Sequence, residues 1–358
     1  MAPLVVARSL VLAVLTGVAG CCAVRDKAAT VFSDGGGVDA ARDGDPLASP
    51  EAPWESVPWL ATPVSGSDPG PPYPIVLHHG FSGWKEVKRL RVHYFHEVAD
   101  ALAVDGETMV FETVVEPYAP TEQRAAQLAR QVDRILIATG KARVNLVAHS
   151  QGGLDSRYLV STLGYGARVA SLTTISTPHR GTAIADALSD DVPNWGDPIA
   201  NAVADVIGRT ILDVESDSDL RGSLESLSES AMEDSFNPQN PDDPAVDYFS
   251  YAGRSNGATG EPDCDGSWLG NEETRLDRVD PMLKVTGAYL RARGRQAGEN
   301  DGVVTVRSAR WGLFMGCFPA DHFDEIGQIA KSGANAESGF DHREFYRDVV
   351  RRLRERGY

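Results

Sequence analysis

From Tyr73 onward, short apolar runs bounded by Gly, Pro and Asp alternate with longer stretches in which apolar residues recur every three to four positions. The short runs predict strands at Tyr73–His78, Thr108–Thr113, Arg143–Ala148, Ala170–Ile175 and Asp247–Ala252, with a further strand-like segment at Val303–Val306. Helices are predicted near Tyr94–Val104, over Thr121–Ala138, over Leu154–Thr162 and over Asp341–Arg354. In the second of these Leu128, Val132, Ile135 and Leu136 share a face, and Gly140 stands where a helix would stop. In the last, Phe345, Tyr346, Val349, Val350 and Leu353 recur at helical spacing. Strands separated by helices imply an α/β fold with a mostly parallel sheet, and roughly 290 residues suffice for one large core.

Two stretches depart from this rhythm. Between the strands at 170–175 and 247–252 lies an insertion of about 60 residues, longer than a simple connection needs. Within it Ile199, Val203, Val206, Ile207 and Ile211 fall on one helical face while Asp205 and Arg209 fall elsewhere, which suits either a packed core helix or a lid, about residues 190–235, with an apolar underside. At the start of the chain, residues 1–20 carry Arg8 and an apolar stretch from Leu10 to Ala19 that is too short to span a bilayer, the pattern of a signal peptide. It ends in Val18-Ala19-Gly20-Cys21, which resembles a bacterial lipobox, so Cys21 is a candidate for lipid attachment, with ordinary cleavage as the alternative. The stretch 21–70, rich in Gly, Pro, Asp, Ser and Ala, is read as a flexible tether before a domain at 71–358.

Composition is globular, at 42% hydrophobic residues, and the net charge of −17 argues against a nucleic-acid partner. The sequence shows no internal repeat, P-loop, zinc-ligand spacing or basic tract.

Candidate chemistry centres on Arg143-Val144-Asn145-Leu146-Val147-Ala148-His149-Ser150-Gln151-Gly152-Gly153. A strand feeding a tight small-residue turn with one serine at its tip, then a helix, is a nucleophile elbow, with Ala148 in place of the usual first glycine. A serine needs a base, and in this architecture acid and histidine follow the serine, leaving His179, His322 and His342. His322, in the acidic loop Asp321-His322-Phe323-Asp324-Glu325, is preferred. His179 follows a strand and suits a cleft wall, and His342 reads as helix surface. Asp301, in the turn Asn300-Asp301-Gly302, is the preferred acid, although Asp-Gly is also a common turn without chemistry. Oxyanion donors are expected at the amides of Gln151, directly after the serine, and Phe81, in His79-Gly80-Phe81 after the first strand.

HHGFSGW, VNLVAHSQGG, ISTPHRGTAIAD, SLESLSESA, NDGVV, HFDEIGQ and GANAE occur in an order that resembles the Pseudomonas/Burkholderia-type bacterial triacylglycerol lipases, over roughly residues 71–358. The resemblance implies an α/β-hydrolase fold with a helical lid, Ser150 as nucleophile, Asp301 as acid, His322 as base, and the Phe81 and Gln151 amides as oxyanion hole. It implies acylglycerol substrates at a lipid interface, no organic cofactor, and in some members a membrane-anchored folding chaperone. A monomer, exported as a secreted protein or a surface lipoprotein, is expected. It also implies a structural calcium at Asp280 and Asp324, with a carbonyl from Gln328 and a further one near Ser332, where this chain is shorter. The family's disulfide has a cysteine shortly after the acid, but Thr305–Ala309 holds none, so Cys264 and Cys317 are the alternative pair, worth on the order of 4 kcal/mol in the chain-entropy picture. The same residues leave open a short-chain esterase or polyester depolymerase, and a non-catalytic lipoprotein that binds hydrophobic ligands.

Overall fold

A computed structural model describes residues 70–81, 86–87, 92–189, 220–255, 277–328 and 333–358. The chain divides into Met1–Pro50 and Glu51–Tyr358, and the described residues lie in the second unit. The expected leader, all of the expected tether except Gly70, and the apolar stripe Ile199–Ile211 lie outside the described residues.

Six strands make one sheet: β1 (Ile75–His78), β2 (Val110–Thr113), β3 (Val144–His149), β4 (Val169–Ile175), β5 (Asp247–Gly253) and β6 (Leu313–Phe318). Their order is β2-β1-β3-β4-β5-β6 and every neighbouring pair is parallel. Parallel neighbours require crossovers, and α1 (Val98–Val104), α2 (Thr121–Thr139), α3 (Gly152–Ser161), α4 (Ala183–Ser189), α5 (Leu220–Glu225) and α6 (Lys284–Ala292) lie in them, while α7 (His342–Glu355) follows β6. Strands β1, β3 and β4 are buried at every position, which explains why they do not read as a strict alternation of apolar and polar residues. Ile75, Leu77, Val147, Ile175 and Tyr251 pack with Val98 and Leu102 of α1 and with Phe345, Tyr346, Val349, Val350 and Leu353 of α7. Val76, Leu146, Ala148 and Leu172 pack instead with Leu128, Val132 and Ile135 of α2 and with Leu159 and Val160 of α3. Each such aliphatic side chain contributes about 1.5–3 kcal/mol of burial. Helix α2 ends as its sequence requires, with Gly140 at φ 67°, a left-handed conformation that glycine adopts without penalty.

Two expectations fail here. The strand-like Val303–Val306 is not a strand: the Asp301 carboxylate accepts the amides of Val303 and Val304 and bends the chain, and Thr305 then caps a helical turn at Val306–Ala309. The sixth strand, β6, lies further on, in the apolar run Leu313-Phe314-Met315-Gly316-Cys317-Phe318 that was not expected as a strand; among the described residues it is an edge of the sheet, and its first residue, Leu313, is exposed.

The order of strands positions the site. The chain runs from β1 outward to β2 and then back across β1 to β3, so the direction of connection reverses there, and this switch point lies at the carboxyl ends of β1 and β3.

Candidate active site

Ser150 stands at that switch point, immediately after β3, at φ 56°. A left-handed conformation at a non-glycine residue costs roughly 1–3 kcal/mol and persists only where neighbours enforce it. Here the Ser150 amide donates to the Ile175 carbonyl at 2.9 Å, and Thr177 Oγ1 donates to the Ser150 carbonyl at 2.8 Å. The turn also needs small neighbours. A Cβ at Gly80 would stand 2.5 Å from the Ser150 Cβ, and one at Gly152 would stand 2.7 Å from the His79 carbonyl oxygen. Ala148, the departure from glycine, sits fully buried in the α2/α3 core, so its methyl is accommodated.

The structure brings His322 and Asp301 to this serine. His322 Nε2 lies 3.0 Å from Ser150 Oγ, and His322 Nδ1 lies 2.7 Å from Asp301 Oδ2. Since an ionised carboxylate only accepts, Nδ1 carries the proton and Nε2 faces the hydroxyl as an acceptor. Burial pushes the Asp301 carboxyl up, but the His322 charge and hydrogen bond, with the Val304 and Val303 amides, outweigh it and hold the group below the ordinary carboxylate range. The His322 amide donates to the Asp301 carbonyl at 3.0 Å, so the Asp301 and His322 loops are also joined through backbone.

Of the two expected oxyanion donors, Gln151 opens α3, where the first amides of a helix have no intrahelical acceptor. Phe81 follows Gly80, whose own amide is taken by the Tyr94 hydroxyl at 3.1 Å. This loop is braced from below by Arg124 of α2, fully buried, which donates to the His79 carbonyl at 2.8 Å and the Gly80 carbonyl at 3.2 Å. Asp155 of α3 neutralises the guanidinium at 2.8 Å and also meets His78 Nε2 at 3.0 Å.

The remaining histidines have other roles. His179 is buried, stacks on Trp311 with ring centroids 5.1 Å apart and meets Thr174 Oγ1 at 3.0 Å. His342, expected on a helix surface, is buried instead, because its Nε2 reaches the His96 carbonyl at 2.7 Å.

The expected calcium positions are only partly brought together. Asp324 converges with Asp277 and Asp321, their carboxylate oxygens lying within 4.8 Å of one another. Asp280 is not in that group: its carboxylate caps the turn Pro281–Leu283, and its amide donates to Asp321 Oδ2. The Gln328 side chain donates to the carbonyls of His93 and Tyr94. Three converging carboxylates are hard oxygen donors of the kind calcium takes. Cys317, on β6, is buried and disulfide-bonded, and Cys264 lies outside the described residues.

Sequence reasoning passed over Tyr94, His149, Ser176 and Glu325, which surround the site. His149 Nδ1 lies 2.7 Å from the Tyr94 hydroxyl and its Nε2 lies 2.9 Å from Glu325 Oε2. Burial, reinforced by the charge of Asp301, pushes the Glu325 carboxyl well above the ordinary range. The available signal was spacing: Glu325 follows His322 by one helical turn in HFDEIGQ, and His149 adjoins the serine.

A parallel sheet with this strand order and a serine on a strained turn at its switch point defines a class. The chain belongs to the alpha/beta hydrolase fold family, whose profile matches residues 73–268. It is 28% identical over 315 residues to a triacylglycerol lipase of Pseudomonas fragi, across 80% of this chain and 97% of that one. It is 37% identical over 111 residues to a triacylglycerol lipase of Burkholderia plantarii, across 30% of each chain. The crystal structure of Bacillus licheniformis lipase BlEst2 in mature form aligns with a TM-score of 0.53 and 26% identity, covering 75% of this chain and 92% of that one. The likeness read from the motifs to lipases of Pseudomonas and Burkholderia is thus borne out.

Proposed function

We propose that this protein is a carboxylic ester hydrolase acting on acylglycerols through an acyl-serine intermediate. The observation that carries the reading is the unbroken chain of hydrogen bonds from Ser150 Oγ through His322 to Asp301 at the switch point of the sheet. His322 Nε2 takes the Ser150 proton as Oγ bonds to the ester carbonyl carbon, and the amides of Phe81 and Gln151 receive the oxyanion. Asp301 balances the imidazolium. Collapse breaks the carbon–alkoxide bond, and the leaving alkoxide takes the proton from His322. Water then repeats the sequence and releases the fatty acid.

Four further parts belong to this reading. A calcium ion held by Asp324 with Asp277 and Asp321 would add cross-links between the His322 loop and the segment before α6; Asp280 and Gln328, the other expected positions, would then act from beside the site. Cys264 is the proposed partner of Cys317. The insertion about 190–235 is the proposed lid, and export through residues 1–20, with lipid on Cys21, the proposed route. Among the described residues no helix is long and apolar enough to cross a membrane.

The test is hydrolysis of p-nitrophenyl esters from C4 to C16 by the wild type and Ser150→Ala. Ser150-dependent turnover favouring C8 or longer supports a lipase. Turnover confined to short chains reassigns the protein as an esterase, and none from folded protein removes the enzymatic reading.

A further inference from the structure

We propose that Tyr94, His149, Glu325 and Ser176 are positioning residues that form one hydrogen-bonded clamp, holding the Gly80–Phe81 loop and the His322 turn in mutual register around Ser150. The inference rests on the ester-hydrolase reading above.

The chain of bonds is continuous. The Gly80 amide donates to the Tyr94 hydroxyl at 3.1 Å. That hydroxyl, having accepted, donates to His149 Nδ1 at 2.7 Å, which leaves the imidazole proton on Nε2 facing Glu325 Oε2 at 2.9 Å. Ser176 Oγ donates to Glu325 Oε1 at 2.7 Å and accepts the Gly253 amide at 3.0 Å. Five segments that carry or border the site are therefore tied together: the loop after β1, the end of β3, the His322 turn, the end of β4 and the end of β5.

The clamp is built at some cost, which argues for a purpose. All four side chains are buried, so each polar atom left without a partner would lose about 1–3 kcal/mol. Ser176 adopts φ 45°, and with Ser150 it is one of two such serines at the carboxyl ends of adjacent strands. A Cβ at Gly253 would stand 2.0 Å from Glu325 Oε1, so the glycine leaves the room that the carboxyl fills. The His149 ring lies against the ring of His322, centroids 4.5 Å apart, without taking either of the His322 bonds to Asp301 and Ser150. One end of the clamp thus sets the amide next to Phe81, and the other is one turn past the base. Both must be placed to a fraction of an ångström for the oxyanion and the proton transfer to be served together.

Tyr94→Phe deletes one hydroxyl and keeps the ring. The expected result is a fall in kcat of about tenfold on a p-nitrophenyl ester, with KM within about twofold and the far-UV spectrum unchanged. Glu325→Gln breaks the other end of the same chain, so the double variant Tyr94→Phe/Glu325→Gln should be no slower than the slower single variant. A purely structural role would lower melting temperature without this split or this non-additivity. Losses that multiply in the double variant, or a Tyr94→Phe enzyme within twofold of wild-type kcat, overturn the clamp. If Glu325→Gln fails to fold, Ser176→Ala replaces it in the cycle with the same expectation. Turnover that survives Ser150→Ala defeats the hydrolase reading itself, whereas Ser150-dependent turnover indifferent to Tyr94→Phe defeats only the clamp.

Discussion

At Ser150 the backbone stores strain while the side chain is held in a three-member line, and the two features make separable predictions. Ser150→Ala should abolish turnover by at least about 10³-fold while leaving the melting temperature within a few degrees, because the φ of 56° is imposed by neighbours and alanine presents the same Cβ. Equal activity in that variant would remove Ser150 from the chemistry. Gly80→Ala should act by a different route: the added methyl meets the Ser150 Cβ at 2.5 Å and the His149 carbonyl at 2.9 Å, so both activity and stability should fall, read by esterase assay and thermal melt. Ser150 could be picked from the sequence because it stands in a short strand–turn–helix pattern that is recognisable in isolation, whereas Asp301, in a common Asp-Gly turn, and His322, in an acidic loop, drew their support from the family resemblance. Tyr94, His149 and Glu325 could not, since their meaning lies in partners 55 and 176 positions apart, and such pairings exist only once the sheet has formed.

Among elements, α2 does more than cover the sheet. Its Arg124 holds the His79–Gly80 loop on two bonds and faces Asp155 of α3 in a buried pair. Arg124→Met should cost about 3–5 kcal/mol in urea unfolding, since Asp155 would remain buried without its guanidinium, and a change below about 1 kcal/mol would mean that the loop is held by other means. The loop that bears His322 is pinned by Asp321, whose carboxylate accepts the amides of Asp280, Phe323 and Asp324. Chelation should therefore lower the melting temperature by a few degrees without unfolding the protein at room temperature, an outcome to be read by melting with EDTA and with added calcium. No shift on chelation would separate Asp324 from any ion. Helix α2 and its glycine stop were legible because period and cap agree, whereas Val303–Val306 misled because a carboxylate accepting two amides overrides β-branched propensity. Strand β6 escaped notice although Leu313-Phe314-Met315-Gly316-Cys317-Phe318 is apolar at all but one position, because a six-residue apolar run does not by itself separate a strand from a short buried helical segment.

For the molecule as a whole, buried imidazoles set the response to acid. Burial holds His78, His79, His149, His179 and His342 below the free value of 6.5, with the Arg124 charge adding at His79 and Arg157 at His179. The unfolded chain therefore takes up protons first, so stability is complete above pH 6.5 and falls as pH drops through it, by up to about 1.4 kcal/mol per pH unit for each group. Glu325 opposes this, because its raised folded value gives stability that is lost as pH rises above 4.5, but one carboxyl is set against five imidazoles. Melting temperature should be lower at pH 5.5 than at pH 7.5, and a flat or inverted profile would show that these rings are protonated in the folded state. The parallel sheet also has a consequence for the order of synthesis. The serine is translated with β3, well before its imidazole and carboxylate partners, and α7, which packs on one face of the sheet, follows both. A nascent chain emerging from the ribosome thus presents the Ser150 hydroxyl before Asp301 and His322 have been made to meet it.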